Sequence, residues 1–223
     1  MGLERIGAML ACIAAIGFAR ADNVLKPPAR GPITVAFVLT ESANVIDFAG
    51  AWEVFQDTAR PGTEEPGFRL FTVSEGRKPL TLTGGLKVLP DYTFDDAPAA
   101  DVVVVGAQGG SPKLDPRLRK VAADARTQVL MSVCTGAFKL AGAGLLDGKR
   151  ATTHHDFHDA FAKRFPRVQL EREARYVEAG PHLFTAGGLT SGIDLALHIV
   201  ERFYGQDAAR LTAAYMEYRR APA

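Results

Sequence analysis

Cysteine is scarce: Cys12 and Cys134 are the only two in 223 residues. Two thiols cannot frame a disulfide scaffold, and no Cys/His cluster has the spacing of structural zinc. Charge of one sign is missing as well. Lys and Arg number 26 against 25 Asp and Glu, for a formal +1. That leaves no polyelectrolyte contribution for gripping a phosphate backbone and argues against general nucleic-acid binding. The chain also lacks repeats, low-complexity tracts and any convincing linker after residue 32. What remains is an ordinary globular composition, 47% apolar, at a length that suits one large domain with a buried core.

The amino terminus has a character of its own. Arg5 carries the charge of a short polar start, Ile6 to Phe18 is apolar with only small interruptions, and Ala19-Arg20-Ala21 closes it. A charged start, a short apolar stretch and an A-x-A end describe a secretory signal, and the stretch is too short for a permanent anchor. The expectation is export, to a periplasm-like compartment, with cleavage after Ala21 and no membrane association afterwards. An uncleaved amphipathic helix packed on the domain is the alternative. Cleavage would remove Cys12 and leave Cys134 as a lone thiol in an oxidising compartment. Residues 22–32 read as an exposed lead-in.

From Ile33 the pattern alternates strand and helix. Ile33-Thr-Val-Ala-Phe-Val-Leu39 and Val102 to Val105 are apolar runs of strand length, as in parallel strands buried on both faces. Phe68 to Val73 and Gln128 to Val133 read as further strands. Helices are expected from Asp47, over Leu114 to Arg126, Gly136 to Gly144, Asp156 to Phe165 and Ser191 to Phe203. Ala151 to Thr153 reads as a short strand, and two strands are expected around a turn at Gly180-Pro181. This order predicts one α/β three-layer sandwich with a mostly parallel sheet, with residues 206–223 as a terminal helix or tail.

In such a sheet ligands bind beyond the carboxyl ends of the strands. The strand ending at Val133 runs through Cys134 straight into the small residues Thr135-Gly136-Ala137. That is the strand–nucleophile–helix order of a nucleophile elbow, and helix amides there would favour thiolate over thiol. A cysteine so placed can equally be a small buried hydrophobe. Gly106 to Gly110 could offer backbone amides to a developing negative charge, or serve only as a turn. Asp47 is placed to cap the first helix. His154 and His158 have the i, i+4 spacing of a metal pair, but His154 precedes its helix, so hydrogen-bonded or surface histidines are expected and no metal site is assigned.

Several segments taken in order resemble the DJ-1/PfpI superfamily. They are Val45-Ile-Asp-Phe-Ala-Gly50, Ser132-Val-Cys-Thr-Gly-Ala137, Ala141 to Leu146, Ala151-Thr-Thr-His154 and Phe184 to Asp194. Within it they look most like the branch of isonitrile hydratases and the amidotransferase-like domains of AraC-type regulators. The resemblance spans residues 33–205 and implies a flavodoxin-like sandwich, a homodimer, and Cys134 as reactive centre. It also implies that Asp47 is an acid reaching that cysteine, with Thr135 beside it. Gly106, Ala107, Gln108 and Gly109 would form a substrate or oxyanion loop, and His154 a supporting residue at the rim. Peptidase-like members place a histidine directly after the nucleophile; Thr135 stands there instead, which argues against a Cys–His protease.

The activity so implied is hydration of a small-molecule isocyanide to an N-substituted formamide through a covalent cysteine adduct, without a cofactor. The alternative is a non-catalytic ligand-binding or thiol redox-sensing module of the same fold. The regulators continue into a DNA-binding helical region, for which residues 206–223 are too short, so direct transcriptional control is not expected.

Overall fold

A computed structural model describes residues 25–29, 31–110 and 114–220. The expected export signal and the first residues of the lead-in lie outside the described residues. In chain order the elements are β1 (Ile33–Val38), α1 (Val45–Gln56), β2 (Phe68–Ser74), β3 (Leu80–Thr81), β4 (Lys87–Val88), β5 (Tyr92–Thr93) and β6 (Val102–Val105). They continue with α2 (Leu114–Ala123), β7 (Val129–Val133), α3 (Gly136–Gly142), β8 (Arg150–Ala151), α4 (His158–Arg164), β9 (Gln169–Leu170), β10 (Tyr176–Gly180), β11 (Leu183–Ala186), α5 (Ser191–Tyr204) and α6 (Gln206–Tyr215).

Seven strands form the central sheet in the order β10-β11-β7-β6-β1-β2-β5. All neighbours are parallel except β10 against β11. The apolar runs sit at its centre because helices cover both of its faces. Ile33, Val35 and Phe37 point into one core with α1, α5 and α6; Ala36 and Val38 point into the other with α2, α3 and α4. Every residue of β1 and β6 is buried. Burying a Val or Phe side chain contributes about 1.5–3 kcal/mol, which is what the continuous runs encode. The flavodoxin-like three-layer sandwich expected from the sequence is the fold observed.

Some local expectations shift. The lead-in is not simply exposed: Leu25 fills the first core at 3% exposure, and the Lys26 backbone exchanges hydrogen bonds of 2.9 and 2.8 Å with the Gln128 side chain. The second helix stops at Ala123 because the Asp124 carboxylate accepts the Arg126 N–H, a local bond that competes with the helix. The third helix ends at Gly142, short of Gly144. The expected helix from Asp156 begins as a 3₁₀ turn at His155–Phe157 before α4. Strand β8 ends at Ala151, so Thr152 and Thr153 leave the ladder and turn towards Cys134.

Candidate active site

Five connections converge at the carboxyl ends of β1, β6, β7, β8 and β11, and Cys134 lies among them. Its backbone has φ 59°, a left-handed conformation that costs a non-glycine residue about 1–3 kcal/mol. The surroundings over-determine it. The Cys134 N–H donates to the carbonyls of Gly187 at 2.8 Å and Ala186 at 3.2 Å, while its own carbonyl accepts the Thr153 hydroxyl at 2.9 Å. The helix can start without delay because residue 136 is glycine: a Cβ there would lie 2.1 Å from the Val105 carbonyl oxygen. The elbow expected from the sequence is therefore the geometry observed.

Asp47 comes from the first turn of α1, but it does not cap that helix; Asn44 holds the cap position. Its side chain is fully buried and its Oδ2 accepts the Ala107 N–H at 2.9 Å. Its Oδ1 is buried without a hydrogen-bond partner of ordinary geometry. The carboxyl can pass under the next loop because residue 106 is glycine; a Cβ there would lie 2.8 Å from the Asp47 Cβ. Burial pushes the Asp47 pKa up to about 6, against the lowering effects of the Ala107 amide, the Cys134 thiol and the His154 charge.

The thiol moves in the direction opposite to that expected from a helix N-terminus. Burial, followed by the negative charge of Asp47, pushes Cys134 up to about 11, while the backbone amides of Thr135 and Leu189 pull the other way. Cys134 is 5% exposed. Desolvation and the carboxylate outweigh the amides, so the resting group is a thiol with a base beside it, not a standing thiolate.

Two of the four backbone amides in the loop at residues 106–109, for which an oxyanion role is expected, are engaged elsewhere. The Ala107 amide is taken by Asp47, and the Gly109 amide donates to the Glu41 carbonyl at 2.8 Å. The Gln108 Oε1 accepts the Thr40 N–H at 2.7 Å, and the Gly109 carbonyl accepts the Thr40 hydroxyl at 3.0 Å. These bonds lace the loop to the segment that leads into α1, and the Ala107 amide holds Asp47 in place. Loops fix such partners only when folded, and nothing in a Gly-rich string reveals which amides are spent.

The amides that lower the Cys134 pKa are those of Thr135 and of Leu189, the second of which sequence reasoning left out. Leu189 has φ 53°, a second strained non-glycine beside the first, and this pairing is visible only in the structure. Thr135 stands at the start of α3, half-buried, and its side chain makes no capping hydrogen bond. The His154 ring packs against the backbone at Gly188, and its Nδ1 accepts the Asp156 N–H at 3.2 Å.

The His154/His158 pair does not form a metal site. His158 is buried and its Nε2 bonds the Thr153 carbonyl at 3.1 Å. A different trio, His154, His155 and Asp156, brings its ligand atoms within 4.8 Å of one another. The two imidazoles, however, stack 4.5 Å apart at an interplanar angle of 22°. A metal lies in the plane of each ring that binds it, and nearly parallel stacked planes share no such point near both rings.

Residues 33–202 match the DJ-1/PfpI family. The chain is 35% identical to isonitrile hydratase of Pseudomonas putida over 85% of this chain and 80% of that one. It is 29% identical to the HTH-type transcriptional regulator GbdR of Pseudomonas aeruginosa over 88% of this chain and 53% of the regulator, so it spans about half of that relative. Among solved structures, a THiJ/PfpI family protein from Pseudomonas syringae superposes with a TM-score of 0.67 at 26% identity, over 96% of this chain and 84% of that one.

Proposed function

The chain belongs to the DJ-1/PfpI family, and from that premise we propose that it is a cysteine-dependent enzyme that hydrates an isonitrile to an N-substituted formamide. The observation that carries the reading is the buried Asp47 carboxyl set beside the Cys134 thiol, the acid at a pKa of about 6 and the thiol at about 11. Between those values the pair holds one proton. Its resting form is carboxylate and thiol; its reactive form, with the same proton count, is carboxylic acid and thiolate.

In the proposed cycle the Cys134 sulfur attacks the terminal isonitrile carbon and forms a C–S bond. Asp47 delivers the thiol's former proton to that carbon, giving a thioimidate, R–N=CH–S–Cys134. Asp47, again a carboxylate, takes a proton from a water that adds to the same carbon, with the Thr135 hydroxyl orienting it. The nitrogen gains that proton, the C–S bond breaks, the thiol recovers the second proton of the water, and R–NH–CHO leaves. One water is consumed, nothing is oxidised or reduced, and no cofactor takes part. His154 supports the acid from the rim.

The direct test is isocyanide consumption by the purified chain with Cys134→Ser beside it. Formamide in many-fold excess over protein, lost in the variant, supports the reading; formamide no more than stoichiometric overturns it. The second reading is a ligand-binding module, favoured by the regulator relatives that align with this domain. Thiol redox sensing is a poorer match, because a sensor thiol needs exposure and a low pKa while Cys134 is buried with a raised one. Export with cleavage after Ala21 and assembly as a homodimer complete the proposal. Amino-terminal sequencing of a periplasmic fraction and sedimentation of the product test them.

A further inference from the structure

We infer that Arg175 is a positioning residue for this site: it clamps the 187–190 loop, whose Gly187 carbonyl accepts the Cys134 N–H at 2.8 Å, and so fixes the loop amides beside the Cys134 thiol. The inference rests on the reading of Cys134 as the reactive group. Arg175 stands just before β10 and grips the loop from both ends. Its carbonyl accepts the Gly187 N–H at 2.9 Å. Its guanidinium donates to the Thr190 hydroxyl at 3.3 Å, and through Nε to Asp194 Oδ2 at 2.6 Å.

Asp194 is the fixed end of this clamp. It lies in the first turn of α5 with its side chain 1% exposed, and a buried carboxylate needs its charge paired. The Tyr218 hydroxyl joins the same pair from the chain's carboxyl-terminal segment. Between Gly187 and Thr190 the backbone must then carry Leu189 at φ 53°, against its own preference. Without the guanidinium the loop keeps its backbone bonds, among them those from Gly187 to the Arg175 carbonyl and from Gly192 to the Leu189 carbonyl, and the Leu189 amide is held less firmly. The charged group that acts on the thiol is Asp47 from α1, and His154, from the connection after β8, acts on Asp47; Arg175 reaches the thiol only through the loop.

The experiment follows the alkylation of Cys134 by iodoacetamide across the alkaline range in the full chain, read on the peptide that contains Cys134. It compares wild type with Thr190→Val and Arg175→Lys. Thr190→Val removes only the hydroxyl held by the guanidinium and leaves the Arg175–Asp194 pair intact. Lysine keeps a charge for Asp194 but cannot fork to the loop as well. Both variants are expected to titrate at higher pH and to react roughly tenfold more slowly at fixed pH, about one pKa unit of lost thiolate stabilisation. Thr58→Val is the control. It removes a buried hydroxyl that bonds Val54 and Thr212 at the other end of the sheet, and should lower the melting temperature without moving the titration.

Alkylation curves for both loop variants that superimpose on wild type would overturn the inference. So would a shift of equal size in Thr58→Val. If Arg175→Lys fails to fold, Thr190→Val decides alone. The readout needs no isocyanide turnover, so a shifted titration in a chain that hydrates nothing sustains the clamp and sinks the proposed reaction.

Discussion

The Asp47 carboxylate raises the cost of ionising the Cys134 thiol, while the thiol eases ionisation of the acid. Burial sets the direction for both, and the negative charge of the acid then adds to the pKa of the thiol. The pair therefore loses its first proton near pH 6 and its second near pH 11. Neither value belongs to one residue alone, because the remaining proton can sit on oxygen or on sulfur.

The rate profile follows from that count. Below about pH 6 both groups are protonated and no base takes the thiol proton; above about pH 11 no proton is left for the substrate carbon. kcat/KM for isocyanide hydration should rise through pH 6 and stay level to the limit of protein stability. In Asp47→Asn the level region should fall by about 10²–10⁴, the usual worth of a positioned acid–base. Its residual rate should climb with pH, since only hydroxide is left to ionise the thiol. A variant that keeps the flat wild-type profile would remove Asp47 from the mechanism.

The same acid should weaken the fold at neutral pH. Its pKa is about 6 in the folded chain against 3.8 for an ordinary aspartate, so the folded state holds its proton more tightly than the unfolded chain does. The stabilisation that this gives is complete below about pH 3.8 and is lost as pH rises through about 6. Asp47→Asn should therefore unfold later in urea at pH 7, by on the order of 2–3 kcal/mol, with the advantage closing as pH falls from about 6 to about 4. An unchanged urea midpoint at pH 7 would mean that the carboxylate is better solvated than its burial implies.

Gly136→Ala tests the elbow itself. The added methyl would meet the Val105 carbonyl at 2.1 Å, and backbone on both sides leaves little room to yield. The variant should lose about 1–3 kcal/mol in urea unfolding, the usual cost of overpacking, and lose turnover with it. Ala137→Gly, one residue along α3, should cost stability of about 1 kcal/mol or more but retain more activity, because it leaves the β6 contact untouched.

How far the sequence could be read follows from where each signal lives. Strands β1, β6 and β7 announce themselves because both faces of each are buried, so all positions but Thr34 and Ser132 are apolar. The short β3–β4 hairpin gives no such sign. Its strands are two residues each, and they serve to hold the loop after β1 through the bond from the Ser42 N–H to the Thr81 carbonyl. Cys134 could be singled out from the strand and small residues that flank it. Its pairing with Asp47, far away in the chain, came only from resemblance to a family, since spacing cannot place one loop under another. The Arg175–Asp194 clamp and the strained Leu189 were illegible for the same reason, and the spent amides of Ala107 and Gly109 show how a glycine-rich string can mislead.

Thr135 separates catalytic from structural roles most cleanly. Its hydroxyl makes no capping bond to α3 although the residue stands at that helix's start. Removing it should therefore cost the fold little, within about 0.5 kcal/mol, as expected for a group without a partner to lose. If the hydroxyl orients the attacking water, Thr135→Ala should slow release of formamide, lowering kcat by tenfold or more, about 1.4 kcal/mol of barrier. The first step needs no water, so a burst of one formamide-forming equivalent of bound substrate per chain should become visible by mass spectrometry as a Cys134 adduct. Thr135→Ser keeps the oxygen and should restore most of the rate. A Thr135→Ala chain that turns over at the wild-type rate, with no accumulated adduct, would show that another group places the water.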